Sequence, residues 1–155
     1  MNKKPTLFVM VGPAGSGKSY VANRIPHAAI DSTDMIRELM FGSAECQDNS
    51  EKVFEEAYIF AEDALCGGLD VVFDATNTTA FTRKKLLERM SGIDHKNVAI
   101  FMNTPLEECK RRNAQRKRRV PDDVIVRQYN QLIKEASSIP YQFDEIVIVE
   151  GWKRR

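Results

Sequence analysis

The residues Gly12-Pro13-Ala14-Gly15-Ser16-Gly17-Lys18-Ser19 satisfy every fixed position of the pattern G-x-x-x-x-G-K-[ST]. The chemistry of such a segment is anion binding. Glycines let the backbone curl without Cβ obstruction. Successive N–H groups then point inward as a nest, and the helix that follows adds the partial positive charge of its N-terminus. In this pattern Lys18 reaches the β- and γ-phosphates of a nucleoside triphosphate, and the Ser19 hydroxyl reaches Mg²⁺. The bland alternative is a glycine turn without a ligand. The placement of the segment between an apolar strand pattern and a helical pattern argues against it. The motif specifies ATP or another NTP, and does not specify the reaction.

Further acids and arginines could complete a site. Asp34 and Arg37, three residues apart, share one helical face. Such a carboxylate can take a proton from an acceptor hydroxyl, and such an arginine can hold an acceptor phosphate or the transferring group. The plainer reading is a helix start in which Asp31, Ser32 or Thr33 is the N-cap and Arg37 is solvated. Asp31, at the end of a short strand pattern, is a rival for the base or a neighbour of the metal. Asp74 closes the apolar run Val71-Val72-Phe73, the usual place for a carboxylate set near Mg²⁺ beside a phosphate loop. In Asp74-Ala75-Thr76-Asn77, Asp74 and Asn77 are candidates to contact substrate, with Thr78 or Thr79 capping the next helix. Lys110, Arg111, Arg112, Arg116, Lys117, Arg118 and Arg119 form the densest charge cluster. A charge run is usually a solvated helix face. Here Arg112 and Arg116 are spaced to share a helical face, and closed over a nucleotide they would neutralise charge on the phosphoryl group.

The elements that must position these residues alternate between strand and helix. Apolar runs over Thr6–Val11, Leu69–Asp74 and Asn97–Met102 lack clean alternation, as expected for strands covered on both faces. Shorter strands are expected over Ala28–Asp31 and Ile146–Val149. Helices are expected over Lys18–Arg24, Thr33–Met40, Ser50–Leu65 (ended by Gly67-Gly68), Thr79–Met90, from Pro105 to about Asn113, and from Pro121 to about Ala136. A polar break covers Gly42–Asn49. Alternation of this kind predicts an α/β fold with a mainly parallel sheet, right-handed crossovers and helices on both faces. Ligands then bind beyond the carboxyl ends of the strands, where the glycine loop, Asp31–Asp34 and Asp74–Asn77 all fall.

The chain's 155 residues allow one compact domain. A net charge of +1 gives no global pull toward nucleic acid, so any such attraction must come from a local patch. No apolar run is long enough to span a bilayer. Lys3 and Lys4 before an apolar run look briefly like a signal peptide, but the run ends at Gly12-Pro13, so a first strand is expected. The three cysteines, Cys46, Cys66 and Cys109, match no metal spacing and read as reduced thiols of a cytoplasmic protein. His27 and His95 lack partners at ligand spacing, and Trp152 is expected to pack.

Taken together, Gly12–Ser19, Asp34-Met35-Ile36-Arg37, Asp74-Ala75-Thr76-Asn77 and Arg112-Asn113 with Arg116 before Val120-Pro121 resemble the kinase domain of phage and bacterial polynucleotide 5′-hydroxyl kinases. These belong to the wider P-loop kinase group. The resemblance spans most of the chain and implies a P-loop kinase fold with a basic helical lid over about residues 110–121. It implies Asp34 as the general base on a 5′-hydroxyl of DNA or RNA, Arg37 on the acceptor or phosphoryl group, and Arg116 on the donor phosphates with Arg112 in support. Two departures stand out. The family's Asp-Thr-Asn element is one residue longer here, and the lid is one residue shorter before its proline, which makes Arg118 the alternative to Arg116. The length leaves no room for the phosphatase domain some members carry. Two other functions compete: a P-loop kinase of a nucleoside, sugar or other small metabolite, and a non-catalytic NTP-binding switch.

Overall fold

The computed structural model describes residues 3–42 and 50–150. The polar break after Gly42, the Cys46 thiol and the packing of Trp152 lie outside the described residues. Five strands, β1 (Thr6–Val11), β2 (Ala28–Ser32), β3 (Asp70–Asp74), β4 (Lys96–Met102) and β5 (Glu145–Val149), form one sheet in the order β2-β3-β1-β4-β5. All four pairings are parallel. The helices are α1 (Lys18–Ala22), α2 (Thr33–Phe41), α3 (Ser50–Cys66), α4 (Ala80–Met90), α5 (Leu106–Ala114), α6 (Asp122–Glu135) and α7 (Ile139–Gln142).

The unbroken apolar runs become the three central strands, each buried on both faces. Val9, Val11, Val71, Phe73 and Ala99 point to the larger core, which is completed by Ala57, Tyr58 and Ala61 of α3, Leu86 and Met90 of α4, and Leu132 of α6. Met10, Val72, Ile100 and Met102 point the other way, onto Ala22 of α1. A smaller cluster of Ala14, Cys109 and Ile125 fixes the glycine loop to α5 and α6. At one edge, β5 leaves Val147 and Ile148 exposed.

Local chemistry sets the boundaries. Ser32 caps α2 by accepting from Met35 N, and Thr79 caps α4 by accepting from Thr82 N. Gly42, at φ 75°, ends α2. Gly68, at φ 81°, ends α3 with the Leu69 N–H donating back to Ala64 O at 2.9 Å, a Schellman closure. Pro105 and Pro121 are N-caps with extended ψ rather than first helical residues. The acids behind them, Glu107-Glu108 and Asp122-Asp123, complement the helix dipoles.

The lid departs from expectation. Its helix stops at Ala114 with Gln115 as cap, so Arg116, Lys117, Arg118 and Arg119 sit on a loop and not on a continuous helical face. The buried Asn113 is the cause: Nδ2 donates to Val120 O at 2.6 Å and Oδ1 accepts from Val120 N at 3.0 Å. That two-way clamp folds the chain back before Pro121.

Candidate active site

The loop between β1 and α1 is held in a shape only glycine permits at two positions. Gly15 and Gly17 have φ of 82° and 98°. A Cβ on Gly15 would lie 2.3 Å from the Cys109 carbonyl oxygen, and one on Gly12 would lie 2.6 Å from Ser16 Oγ. The loop is braced from three sides. Gly12 N donates to Thr76 O at 2.9 Å, Ala14 N donates to Gln128 Oε1 at 2.9 Å, and Thr104 Oγ1 donates to Ser16 O at 2.9 Å.

Lys18 Nζ donates to Pro13 O at 2.8 Å, folded across the loop it serves. Burial pulls its pKa down, and the Asp74 and Asp34 carboxylates partly oppose that. Ser19 Oγ donates to Asp74 Oδ2 at 2.9 Å. Burial raises the Asp74 pKa, with Lys18 opposing. A hydroxyl beside a carboxylate is the hard-oxygen pair that suits Mg²⁺, which takes few protein ligands and fills its shell with phosphate and water. Among the described residues there is no cluster of three or more His, Cys, Asp or Glu able to hold a metal without such help.

Asp34 lies in the same cleft with its side chain about half exposed. Its Oδ1 accepts from Arg37 Nη1 at 3.2 Å and its Oδ2 accepts from Arg118 Nη2 at 2.6 Å. Arg37 is 6% exposed and its Nε has no protein partner. Asp31 is elsewhere. It sits in register with Phe73, is 1% exposed, and neither carboxylate oxygen has a partner. Burial pushes its pKa up to about 8. Asp31 therefore makes no hydrogen bond to Ser19, and it is absent from the cleft lining.

The lid arginines divide. Arg112 Nε pairs with Glu108 Oε1 at 3.0 Å while its Nη1 approaches Ser16 O at 3.4 Å. Arg116 lines the cleft close enough for its charge to act on both Lys18 and Asp74. Arg118 instead reaches Asp34. Asn77 does not enter the cleft. It adopts φ 49°, and its Nδ2 donates to Met10 O at 2.8 Å and Ala75 O at 3.2 Å, fastening the end of β3 to β1. The Nδ2 of Asn77 goes to those two carbonyls, a bracing contact outside the cleft lining in place of the expected substrate contact. The cleft encloses about 780 Å³. Among the described residues Lys18, Arg37, Arg112, Arg116, Arg118, Arg119 and Arg127 line it, with Asp34 and Asp74 as the acids.

Two supporting residues carry no sequence signal of their own. Arg83 of α4 is fully enclosed, and its guanidinium donates to Gln142 Oε1, Asn77 O, Glu135 O and Ser138 Oγ. It sits in the run Arg83-Lys84-Lys85, which reads as a solvated face. Gln128 is one polar residue among several on α6. His95 is structural, contacting Ile93 O and Asn97 Oδ1. Cys66 and Cys109 are free thiols, the latter buried. No helix among the described residues is long and apolar enough to cross a membrane.

Known proteins resemble this chain in sequence and in fold. The chain is 29% identical over 159 residues to the bifunctional enzyme NodQ of Rhizobium sp. strain N33, covering 93% of this chain and 23% of that protein. It is 27% identical over 124 residues to the adenylyl-sulfate kinase of Pseudomonas aeruginosa strain PAO1, covering 72% of this chain and 60% of that enzyme. The chain thus spans less than two thirds of either relative. Among solved structures, a chain of the Pnkp1/Rnl/Hen1 RNA repair complex superposes with a TM-score of 0.78 at 20% identity, over 89% of this chain and 47% of that one, a likeness of fold. The AAA domain model AAA_33 matches residues 7–137. This chain is a member of the AAA_33 family, built on the P-loop kinase fold.

Proposed function

We propose that this protein is an ATP-dependent kinase that transfers the γ-phosphoryl group to the 5′-hydroxyl of a polynucleotide. The observation that carries the reading is the placement of Asp34 in the cleft that also holds Lys18, Ser19 and Asp74. A carboxylate there is placed to take a proton from a second substrate.

Each residue then has a task. The loop amides and Lys18 hold the β- and γ-phosphates. Ser19 and Asp74 would hold Mg²⁺, which supplies charge neutralisation on those phosphates. Arg116, with Arg112 in support, offsets negative charge as it develops on the transferring group. Asp34 takes the acceptor's hydroxyl proton as the acceptor oxygen bonds to the γ-phosphorus and ADP leaves. Arg37, enclosed and bonded to Asp34, orients that carboxylate and offers its unpartnered Nε to the acceptor side.

The charge balance of the cleft favours an anionic acceptor. Among the described residues seven cationic side chains face two carboxylates, and Arg112 has a further carboxylate partner in Glu108. Mg²⁺-bound ATP carries a charge of about −2, which offsets only part of that positive charge and leaves some for the second substrate. The similarity to a chain of an RNA repair complex supports a polynucleotide. The second reading keeps the donor chemistry and takes a small anionic hydroxyl compound, as the name of the adenylyl-sulfate kinase relative suggests. Transfer of labelled γ-phosphate to a panel of acceptors across a salt series tests this. The polynucleotide reading expects an oligonucleotide with a 5′-hydroxyl to be labelled, with kcat/KM falling steeply as salt rises. Labelling of small acceptors alone, with a shallow salt dependence, would replace it with the second reading.

A further inference from the structure

Arg118 is the lid residue that the donor half of the site leaves unused. Its guanidinium reaches 84 residues back along the sequence to Asp34 Oδ2 at 2.6 Å. Arg37 already holds Oδ1 of the same carboxylate. Both oxygens of Asp34 are therefore engaged by cations, and Arg118 occupies the oxygen that Arg37 leaves open. Arg118 belongs to no helix or strand. It lies on the loop that the Asn113–Val120 clamp closes, between Gln115 and Val120, and its side chain is 24% exposed. Arg37, by contrast, is enclosed on α2 at 6% exposure.

We propose that Arg118 is an acceptor-sensing residue: it latches Asp34 until a phosphate adjoining the acceptor hydroxyl draws its guanidinium away and frees Oδ2. This rests on the kinase reading above and adds the group that the site recognises on the acceptor. The chemistry favours the exchange. A guanidinium on a carboxylate can pass to a phosphodiester with equal bidentate fit, so the movement replaces one charge-assisted pair with another. An acceptor lacking that phosphate offers Arg118 nothing in return, and Asp34 stays latched. Water, which also lacks it, is refused on the same ground, so the latch limits hydrolysis of bound ATP when no acceptor is present.

The test compares the native protein with Arg118→Ala on two oligonucleotides bearing a 5′-hydroxyl. One has an ordinary first phosphodiester, and the other has an uncharged methylphosphonate at that linkage. The native protein is expected to prefer the charged linkage by roughly tenfold to a hundredfold in kcat/KM, the scale of one charge-assisted contact. Arg118→Ala is expected to bring that ratio close to one, mainly by gaining rate on the uncharged linkage, because Asp34 is no longer latched. An Arg118→Ala protein that keeps the native ratio overturns the proposal.

ATP hydrolysis without acceptor is measured in parallel. It is expected to rise severalfold in Arg118→Ala and to return to the native level in Arg118→Ala/Asp34→Asn. No rise in Arg118→Ala overturns the latch. If neither oligonucleotide is labelled by any form of the protein, the polynucleotide reading fails, and the hydrolysis comparison decides the latch by itself. Retained ATP binding by each variant, measured by titration, shows that the lid change leaves the loop folded.

Discussion

Replacing Arg83 by Met should damage the nucleotide site from outside it. The side chain is completely enclosed, and Met keeps most of its aliphatic bulk while removing every donor. Four contacts go: Nε to Gln142 Oε1 at 2.9 Å, Nη1 to Asn77 O at 2.8 Å, and Nη2 to Glu135 O at 2.8 Å and to Ser138 Oγ at 3.0 Å. They are not equal. Glu135 O keeps a second donor, Ser138 Oγ at 2.9 Å. Gln142 retains its own bond to Ala80 O. Asn77 O is the buried acceptor that loses its donor. A stranded buried carbonyl costs about 1–3 kcal/mol and each hydrogen bond from a charged donor contributes about 1.5–3 kcal/mol. Relief from enclosing a cation offsets part of that. The net loss should be about 3 kcal/mol.

The loss has a functional consequence, because Asn77 belongs to the loop whose Thr76 O accepts from Gly12 N. ATP affinity should fall roughly tenfold, the equivalent of one loosened hydrogen bond in the loop. Urea unfolding gives the first quantity and nucleotide titration under folded conditions gives the second. Arg89→Met is the control, since that guanidinium pairs with Glu55 and Glu62 at the surface and its loss should shift the midpoint much less. An Arg83→Met protein within about 1 kcal/mol of native, with unchanged ATP affinity, would refute the bracing role.

Two other perturbations follow from the geometry. Gly15→Ala forces a Cβ to 2.3 Å from the Cys109 carbonyl at a φ of 82°, so nucleotide binding should be lost by titration while circular dichroism stays native. Asp31 supplies a pH effect. Its folded pKa, about 8, lies above its ordinary value near 3.8, so the folded state holds a proton the unfolded state has released. Stability should therefore fall as pH rises between those values, by about 1.4 kcal/mol per unit at most. Asp31→Asn should flatten that slope in unfolding curves taken from pH 5 to pH 8, and an unchanged slope would remove Asp31 as its source.

The fold was legible because burial on both faces of β1, β3 and β4 leaves unbroken apolar runs, and because Ser32, Thr79 and Gly68 do their capping locally. Helix α7 was not. Four residues containing Pro140 show no period, and they are held by Arg83 reaching Gln142 from another helix. The donor half of the site was legible since the loop is contiguous. Asp34 and Asp31 could not be separated by spacing, because their difference is one of side-chain direction: Asp31 turns under the sheet with Phe73 while Asp34 begins a helix at the cleft. The roles of Arg116 and Arg118 depend on how the lid folds back. That is fixed by the Asn113–Val120 clamp, a contact whose form the charge pattern does not carry.

The most direct test of the account is γ-phosphate transfer from labelled ATP to a 5′-hydroxyl oligonucleotide by the native protein and by Asp34→Asn. The account predicts label at the 5′ end, a kcat about 10²- to 10⁴-fold lower in Asp34→Asn, and near-native ATP affinity in both. Label transfer at equal rates by the two proteins would contradict the assignment of Asp34 as base. ATP binding by the native protein with no labelled 5′ end would contradict the polynucleotide kinase reading itself.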